Sequence, residues 1–405
     1  MKEKTTIGLI REGKIPIDRR VPLTPAQARG VMNRFPGVEV VAQKSDIRCY
    51  ADHEYAKEGI RLVDSLEECD VILGVKEVPL ADLLPGKTYF FFSHTIKKQP
   101  YNLGLLQEIL RRNITMVDYE TLTDATGKRI IAFGRWAGIV GACNGIWAFG
   151  QRYRLFDMRR PCQCFDLDDL WTELKGIALP PIKIVLTGGG RVARGAMEVL
   201  ARLGVCKVTC RQFLEQWFDF PVFVQLNARD YNRPRNGEAF SRNGFYRRPE
   251  QFEADFRKYA AVADLLVASA FWDPRAPALF TRDDIMGDDF KIAVIADITC
   301  DIEGSIPCTK RPSTIEEPLY DYNPCDDQEE NPLSDEANIT VMAVDNLPCE
   351  LPRDASASFG GDLAERVLPE LLGGDGTGMI ARATIAREGR LTERFAYLQD
   401  WVDGR

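Results

Sequence analysis

Short, nearly continuous apolar runs alternate along the chain with longer segments whose apolar residues recur every three or four positions. The runs TTIGLI, VEVVAQ, DVILGV, TYFFFSH and ITMVDYE have the length and side chains of strands. Between them, TPAQARGVMNRF and PYNLGLLQEILRRN carry helical spacing. Thr24 stands as an N-cap ahead of Pro25 at the first helical position. This alternation predicts a parallel sheet with helices on its faces.

The pattern then repeats. PIKIVLT reads as a strand, GGG as a tight turn, RVARGAMEVLARLG as a helix and VCKVTC as the next strand, with ADLLVAS and KIAVIADIT further on. Between the two sets lies AFGRWAGIVGACNGIWAFGQRYRLF, whose small residues and long apolar face suit a buried helix, either linking two domains or simply lying in a core. The stretch 212–259 is too long for an ordinary connection and is rich in arginine and aromatic residues, so it reads as an insertion or a surface excursion. YDYNPCDDQEENPLSDEA reads as a solvated acidic loop. NITVMAVDNLP is a strand, DASASFGGDLAERVLPELL a helix, and LTERFAYLQDW an amphipathic helix that packs back on the first part. The expectation is an α/β protein with parallel sheets. Residues 1–133 plus about 345–405 form one domain. About 134–344 form the other, with an insertion at 212–259.

Composition narrows the classes. The chain has 405 residues and a net charge of −8, with no long basic run, which argues against nucleic acid as a partner. No stretch of about 18 apolar residues offers a membrane span, and MKEKTTIGLIREGK lacks the apolar centre of a signal peptide. Eleven cysteines are scattered without a C-x-x-C pair, and Cys162 and Cys164 have no histidine nearby, so no metal is expected and free thiols in a reducing cytoplasm are. Nothing in the chain states an oligomeric order.

VLTGGGRVARGA sits between a predicted strand and a predicted helix. Gly188, Gly190 and Ala193 fit the G-x-G-x-x-G/A pattern, with Arg191 and Val192 between them. The first glycine turns the chain, the second admits backbone N–H groups to a pyrophosphate, and the small third position lets helix pack on strand. The helix N-terminus then faces the phosphate charge. The alternative is a structural glycine turn. An NAD-selective site of this kind has a carboxylate near the end of the second strand to hold the ribose 2′-hydroxyl. VCKVTCRQF offers Arg211 there and no acid before Glu215, which points to NADP rather than NAD unless Arg211 is only a surface residue.

Side chains at the carboxyl ends of parallel strands face the crevice where ligands bind. Lys76 follows VILGV and His94, one of two histidines, follows YFFFS. Each alone is ordinarily solvated or structural. Together, beside a dinucleotide-binding unit, they suit an acid/base pair, since histidine titrates near neutrality and a lysine loses its proton readily when buried or beside other cations. Arg11, Lys14, Arg19 and Arg20 cluster after the first strand, where arginine suits a carboxylate. Glu77, Glu120 and Arg129 follow other strands and fill out a polar pocket.

These motifs carry a resemblance. RRVPLTP, ADHEYAKEG, VILGVKEVP, YFFFSHTIKKQP, DYETLTDATGKRIIAFGRWAG, RVARGA, IADITCDIEGSI, TIEEP, AVDNLPCELPRDAS and LTERFAYLQDW resemble, in order, the saccharopine-forming reductases of lysine metabolism. The chain is akin to the lysine–2-oxoglutarate reductase half of aminoadipic semialdehyde synthase. Fungal lysine-forming saccharopine dehydrogenase is similar, and alanine dehydrogenase and transhydrogenase are more distant. The resemblance implies two Rossmann-like domains around an interdomain cleft and a cytoplasmic NAD(P)-dependent oxidoreductase acting on CH–NH groups. It places the acid/base roles on Lys76 and His94, a carboxylate-holding arginine at Arg20, and pocket positions at Glu77, Glu120 and Arg129. It places Asp297 and Asp345 beside the nicotinamide. The substrates implied are lysine and 2-oxoglutarate, joined as an imine that a hydride reduces to saccharopine. The bifunctional members continue into a second, glutamate-forming dehydrogenase, whereas this chain stops at Arg405, so either a separate enzyme takes the product or the substrate differs. The stretch 212–259 matches only loosely. An alanine-dehydrogenase-like enzyme using ammonia and a 2-oxo acid, or a nucleotide-binding regulator without turnover, are the other readings.

Overall fold

Along TYFFF the side chains alternate between two hydrophobic clusters: Tyr89 and Phe91 enter one, Phe90 and Phe92 the other. A strand apolar on both faces must be covered on both, which is the condition of a parallel sheet between helical layers. The computed structural model describes residues 4–405, as two units: one is residues 4–133 with Pro352–Arg405, the other Gly134–Leu351.

In the first unit, β1 (Thr5–Leu9), β2 (Val38–Gln43), β3 (Arg61–Val63), β4 (Val71–Leu73), β5 (Thr88–Phe91) and β6 (Thr115–Asp118) are all parallel, in the order β3-β2-β1-β4-β5-β6. The order reverses between β1 and β4, so the carboxyl ends of those strands flank the crevice of a doubly wound sheet. The helix Pro25–Arg34 opens with a capping box in which Thr24 and Gln27 bond reciprocally.

The second unit contributes β7 (Lys183–Thr187), β8 (Cys206–Lys207), β9 (Val222–Leu226), β10 (Asn232–Pro234), β11 (Phe252–Ala254), β12 (Leu265–Ala268), β13 (Val294–Asp297), β14 (Leu319–Asn323), β15 (Gln328–Glu330) and β16 (Ile339–Met342). Its sheet runs β15-β14-β16-β13-β12-β7-β9-β8, parallel from β16 to β8, with β14 and β15 antiparallel at one edge. Two expectations change here. The stretch 212–259 is not wholly an insertion, because its VFVQL is β9, the neighbour of β7; the excursion proper is the β10–β11 ribbon and the helix Arg242–Arg247. The acidic segment is only in part a solvated loop, because Tyr320 and Tyr322 of β14 bury their rings in the core, while the turn to β15 and residues 331–337 stay exposed.

The chain then returns to the first unit. The helix Pro352–Asp362 covers one sheet face, where Phe359 stacks on Phe133 at 5.1 Å and 5°. β17 (Thr384–Arg387) and β18 (Arg390–Leu391) extend the sheet antiparallel from β6. LTERFAYLQDW, expected as one helix, begins in β18 and continues as a 3₁₀ turn and a single short helix. No helix among the described residues is long and apolar enough to cross a membrane.

Candidate active site

Four adjacent strands of the first unit, β1, β4, β5 and β6, deliver their following residues to one end of the sheet. Glu12 comes after β1, and its buried carboxylate accepts the N–H groups of Val75 (2.7 Å) and Lys76 (2.9 Å) in the turn after β4. Glu12 therefore fixes the backbone that presents Lys76. Burial, with Asp18 adding repulsion, pushes the Glu12 carboxyl up to about 8. Burial also lowers the Lys76 ammonium, helped by the positive charges of Arg20 and Lys14, which favours a lysine that parts with its proton readily.

Glu77, next in the turn, bridges two cations. Its Oε1 lies 2.6 Å from His94 Nδ1, and its Oε2 accepts from Lys14 Nζ at 2.7 Å. Burial alone would raise this carboxyl, but the His94 and Lys14 hydrogen bonds outweigh it and hold it down at about 2. An ionised Glu77 accepts only, so it fixes the proton of neutral His94 on Nδ1 and leaves Nε2 with its lone pair. The His94 ring lies nearly parallel to Phe92 (6.3 Å, 15°), and its backbone is left-handed, φ 52°. Glu120, after β6, takes Arg129 Nη2 at 3.0 Å and Lys97 Nζ at 3.5 Å on Oε1, while its buried Oε2 has no protein partner. A buried acceptor left over in this way suits a ligand N–H.

Arg20, expected to hold a substrate carboxylate, already faces a carboxylate of the protein. It is almost fully buried, its fork meets Asp18 (Nε to Oδ1 2.9 Å, with Nη2 on Oδ2), and its guanidinium lies 4.2 Å from the centre of the Phe133 ring. Arg129, by contrast, is 42 % exposed. Sequence reasoning missed Glu12, Asp18 and Asp118. The available signal was a carboxylate inside or directly after an apolar run, which only a polar partner makes tolerable.

The second unit carries the glycine turn. Gly188 has φ 96°, and a Cβ there would stand 3.2 Å from the Ala270 backbone, so the first glycine is required. Gly190 caps the helix Arg191–Arg202 with no side chain, and a Cβ on it would meet nothing, so the protein leaves that position uncrowded. Ala193 is fully buried against the sheet. The turn fits a dinucleotide pyrophosphate.

Arg211 does not reach this turn by topology. It lies on the helix Cys210–Glu215 after the edge strand β8, is highly exposed, and pairs with Glu215 at 2.8 Å. On the β8 side the neighbour of β7 is β9, and its end lies against the glycines: Gln225 Nε2 donates to Gly188 O at 2.9 Å, and a Cβ on Gly189 would approach Asn227 Oδ1 to 3.0 Å. Asp297, expected at the nicotinamide, is 1 % exposed, and its oxygens are taken by Thr299, Cys300 and Thr309, so it shapes the loop after β13. Asp345, after β16, is exposed.

Residues 8–140 match the family described as alanine dehydrogenase/PNT, N-terminal domain. Alpha-aminoadipic semialdehyde synthase, mitochondrial, of Bos taurus is 30% identical over 457 residues, covering 100% of this chain and 49% of that protein. Saccharopine dehydrogenase [NAD(+), L-lysine-forming] of Yarrowia lipolytica is 26% identical over 376 residues, covering 88% of this chain and 89% of that one. The chain is similar in sequence to both, and the likeness to the saccharopine dehydrogenase runs through most of both chains. The resemblance carried by its motifs therefore stands, and its relatives have the oxidoreductase class expected of it. The chain spans about half the length of the aminoadipic semialdehyde synthases it matches. Among solved structures, an L-alanine dehydrogenase superposes with a TM-score of 0.66 at 18% identity, covering 98% of this chain and 99% of that one. A transhydrogenase from Sinorhizobium meliloti superposes with 0.61 at 14%, covering 96% and 100%. Both likenesses speak for the fold: two Rossmann-type, mostly parallel sheets.

Proposed function

We propose that this chain is an NAD(P)-dependent oxidoreductase of amino acids, acting on a CH–NH group in the manner of the saccharopine dehydrogenases. Its reaction is reduction of the imine formed between the lysine ε-amine and 2-oxoglutarate, or the reverse. The observation that carries the reading is the Glu77–His94 pair next to a desolvated Lys76, presented from adjacent strand ends. Imine formation needs a proton taken from the attacking amine and a proton given to the departing hydroxyl. His94 Nε2, with its lone pair, suits taking the proton, and Lys76, whose lowered ammonium parts with a proton readily, suits giving one, with Glu77 holding the imidazole through Nδ1. Glu120 Oε2 offers an acceptor to the substrate amine, and Arg129 a partly exposed fork to a carboxylate. A bound nicotinamide supplies or accepts the hydride.

Of the two dinucleotides we favour NADP. The residues at the end of β9 are Gln225, Asn227 and Arg229, none a carboxylate that would repel a 2′-phosphate. The nearest acid, Asp230, accepts the Asn227 N–H at 2.7 Å and is largely covered. Arg229 is exposed, with its Nε 3.6 Å from Asp230 Oδ1, and because it follows β9 it takes the role first given to Arg211.

The test crosses 2-oxo acids with lysine, ornithine and ammonia while NADPH or NADH oxidation is followed. Lysine with 2-oxoglutarate should be the best pair. Faster turnover of pyruvate with ammonia would replace this reading with an alanine-dehydrogenase-like one, and nucleotide binding without any turnover would favour a regulator. Lys76→Met and His94→Gln should each lower kcat by roughly 10²–10⁴-fold. Binding of 2′,5′-ADP should weaken in Arg229→Ala and hold in Arg211→Ala; the opposite pattern, or a preference for NADH, rejects Arg229.

A further inference from the structure

We propose that Asp118 is a positioning residue that sets the His94 imidazole by clamping together the two loops that carry His94 and Glu120. Asp118 ends β6, opposite Phe91 of β5, and is fully buried. Its Oδ2 accepts both the N–H (3.1 Å) and the hydroxyl of Ser93, and its Oδ1 accepts the Glu120 N–H at 2.7 Å. The Ser93 hydroxyl, having given its proton to Asp118, accepts from the Thr95 hydroxyl (2.8 Å) and the Thr95 N–H (3.3 Å). Both neighbours of His94 are thus pinned, and His94 between them is left-handed, φ 52° and ψ 15°. Glycine takes that conformation freely, whereas histidine takes it where its surroundings dictate it. The result is a ring delivered to Glu77 at 2.6 Å and laid on Phe92. One carboxylate therefore sets two groups of the site without facing the substrate. A buried carboxylate that merely closes a turn would fold the loop yet leave the ring indifferent to its loss.

The inference rests on the proton-carrying role of His94, but its first readout is independent of turnover. The chain has two histidines, so the ring signals of labelled protein fall into two sets, with His53 as internal reference. Asp118→Asn keeps the size but turns one acceptor into a donor, and Ser93→Ala removes the hydroxyl link alone. In both variants of the full chain the His94 signals should shift or broaden while those of His53 stay put. In a turnover assay kcat should fall on the order of 10–100-fold with the NAD(P)H KM little changed, as misplacement of a reacting group demands. If Asp118→Asn does not fold, Ser93→Ala decides. His94 signals that superimpose on wild type, or signals of both histidines moving together, would overturn the positioning role. Absence of turnover in wild type with every substrate pair would count against the proposed function alone.

Discussion

At the residue scale, the buried Arg20–Asp18 pair decides what an arginine substitution does. Arg20→Ala strips a buried carboxylate of its fork, and losses of about 3–5 kcal/mol follow when one member of such a pair is removed. The variant should lose stability in chemical denaturation before any kinetic effect can be read. Arg129→Ala touches a partly exposed guanidinium and should instead raise the KM of the carboxylate substrate at nearly unchanged stability. A stable Arg20→Ala protein with only a raised KM would return Arg20 to the substrate. Glu12 gives the pH dependence its sign. Its carboxyl sits at about 8 in the folded protein against an ordinary 4.5, so its contribution is full below 4.5 and is lost as pH rises through 8. Glu77, held at about 2, behaves oppositely: its contribution is present above 4.5 and fades as pH falls towards 2. Unfolding free energies from urea titrations between pH 5 and pH 9 should decline in wild type relative to Glu12→Gln, by a few kcal/mol at most. Parallel profiles would mean that Glu12 does not titrate there.

At the element scale, the glycine turn depends on a helix crossing that holds its helix in place. In the helix Gly134–Tyr153, a Cβ on Gly138 would stand 1.9 Å from Val192 O; in the helix Arg191–Arg202, one on Gly195 would stand 2.0 Å from Arg135 O. Both contacts are with backbone, which cannot rotate aside, so the helices must part. Gly138→Ala should cost roughly 1–3 kcal/mol and, by moving the segment 191–193, weaken NADPH binding in a fluorescence titration. Unchanged binding would show that the crossing does not govern the turn. This scale also shows where the sequence was legible. Strands buried on both faces, such as TYFFF and KIVLT, announce themselves by unbroken apolar character, and the glycine turn by its spacing. β9 did not, because VFVQL lies among the arginines and aromatics of the excursion that follows it, and the second strand in the chain was taken for the second strand in space. β14 hid behind its own acidic turn. The Lys76–Glu77–His94 set was readable because Lys76 and Glu77 come straight after the run VILGV and His94 one residue after YFFF. The burial of Arg20 was not, since it arises from Asp18 and from Phe133, far off in sequence.

At the scale of the whole molecule, the chain interrupts one unit to build the other. Gly134–Leu351 is continuous, and it owns a hydrophobic cluster running from Val185 to Ala343 that unites β7, β9, β12, β13, β14 and β16. Residues 4–133 hold only part of their unit's core and sheet. β6 pairs with β17, and Phe359, Leu363, Val367 and Leu368 complete the cluster beneath β1, β4 and β5. Removing that segment would expose several large apolar side chains, each worth about 1.5–3 kcal/mol when buried, against the 5–15 kcal/mol that holds a domain. A fragment 134–351 should therefore fold cooperatively, with the circular dichroism of an α/β domain, and bind NADPH within a few-fold of the full chain, because the glycine turn and the end of β9 both lie in it. It should turn over nothing, because Lys76, Glu77 and His94 lie in the other unit. A fragment 1–133 should fail to unfold cooperatively in urea. Loss of nucleotide binding by a folded 134–351 fragment, with binding retained by the full chain, would mean that the first unit supplies part of the nucleotide site. A cooperatively folding 1–133 fragment would mean that the returning helix and strands cover a core that is already stable without them.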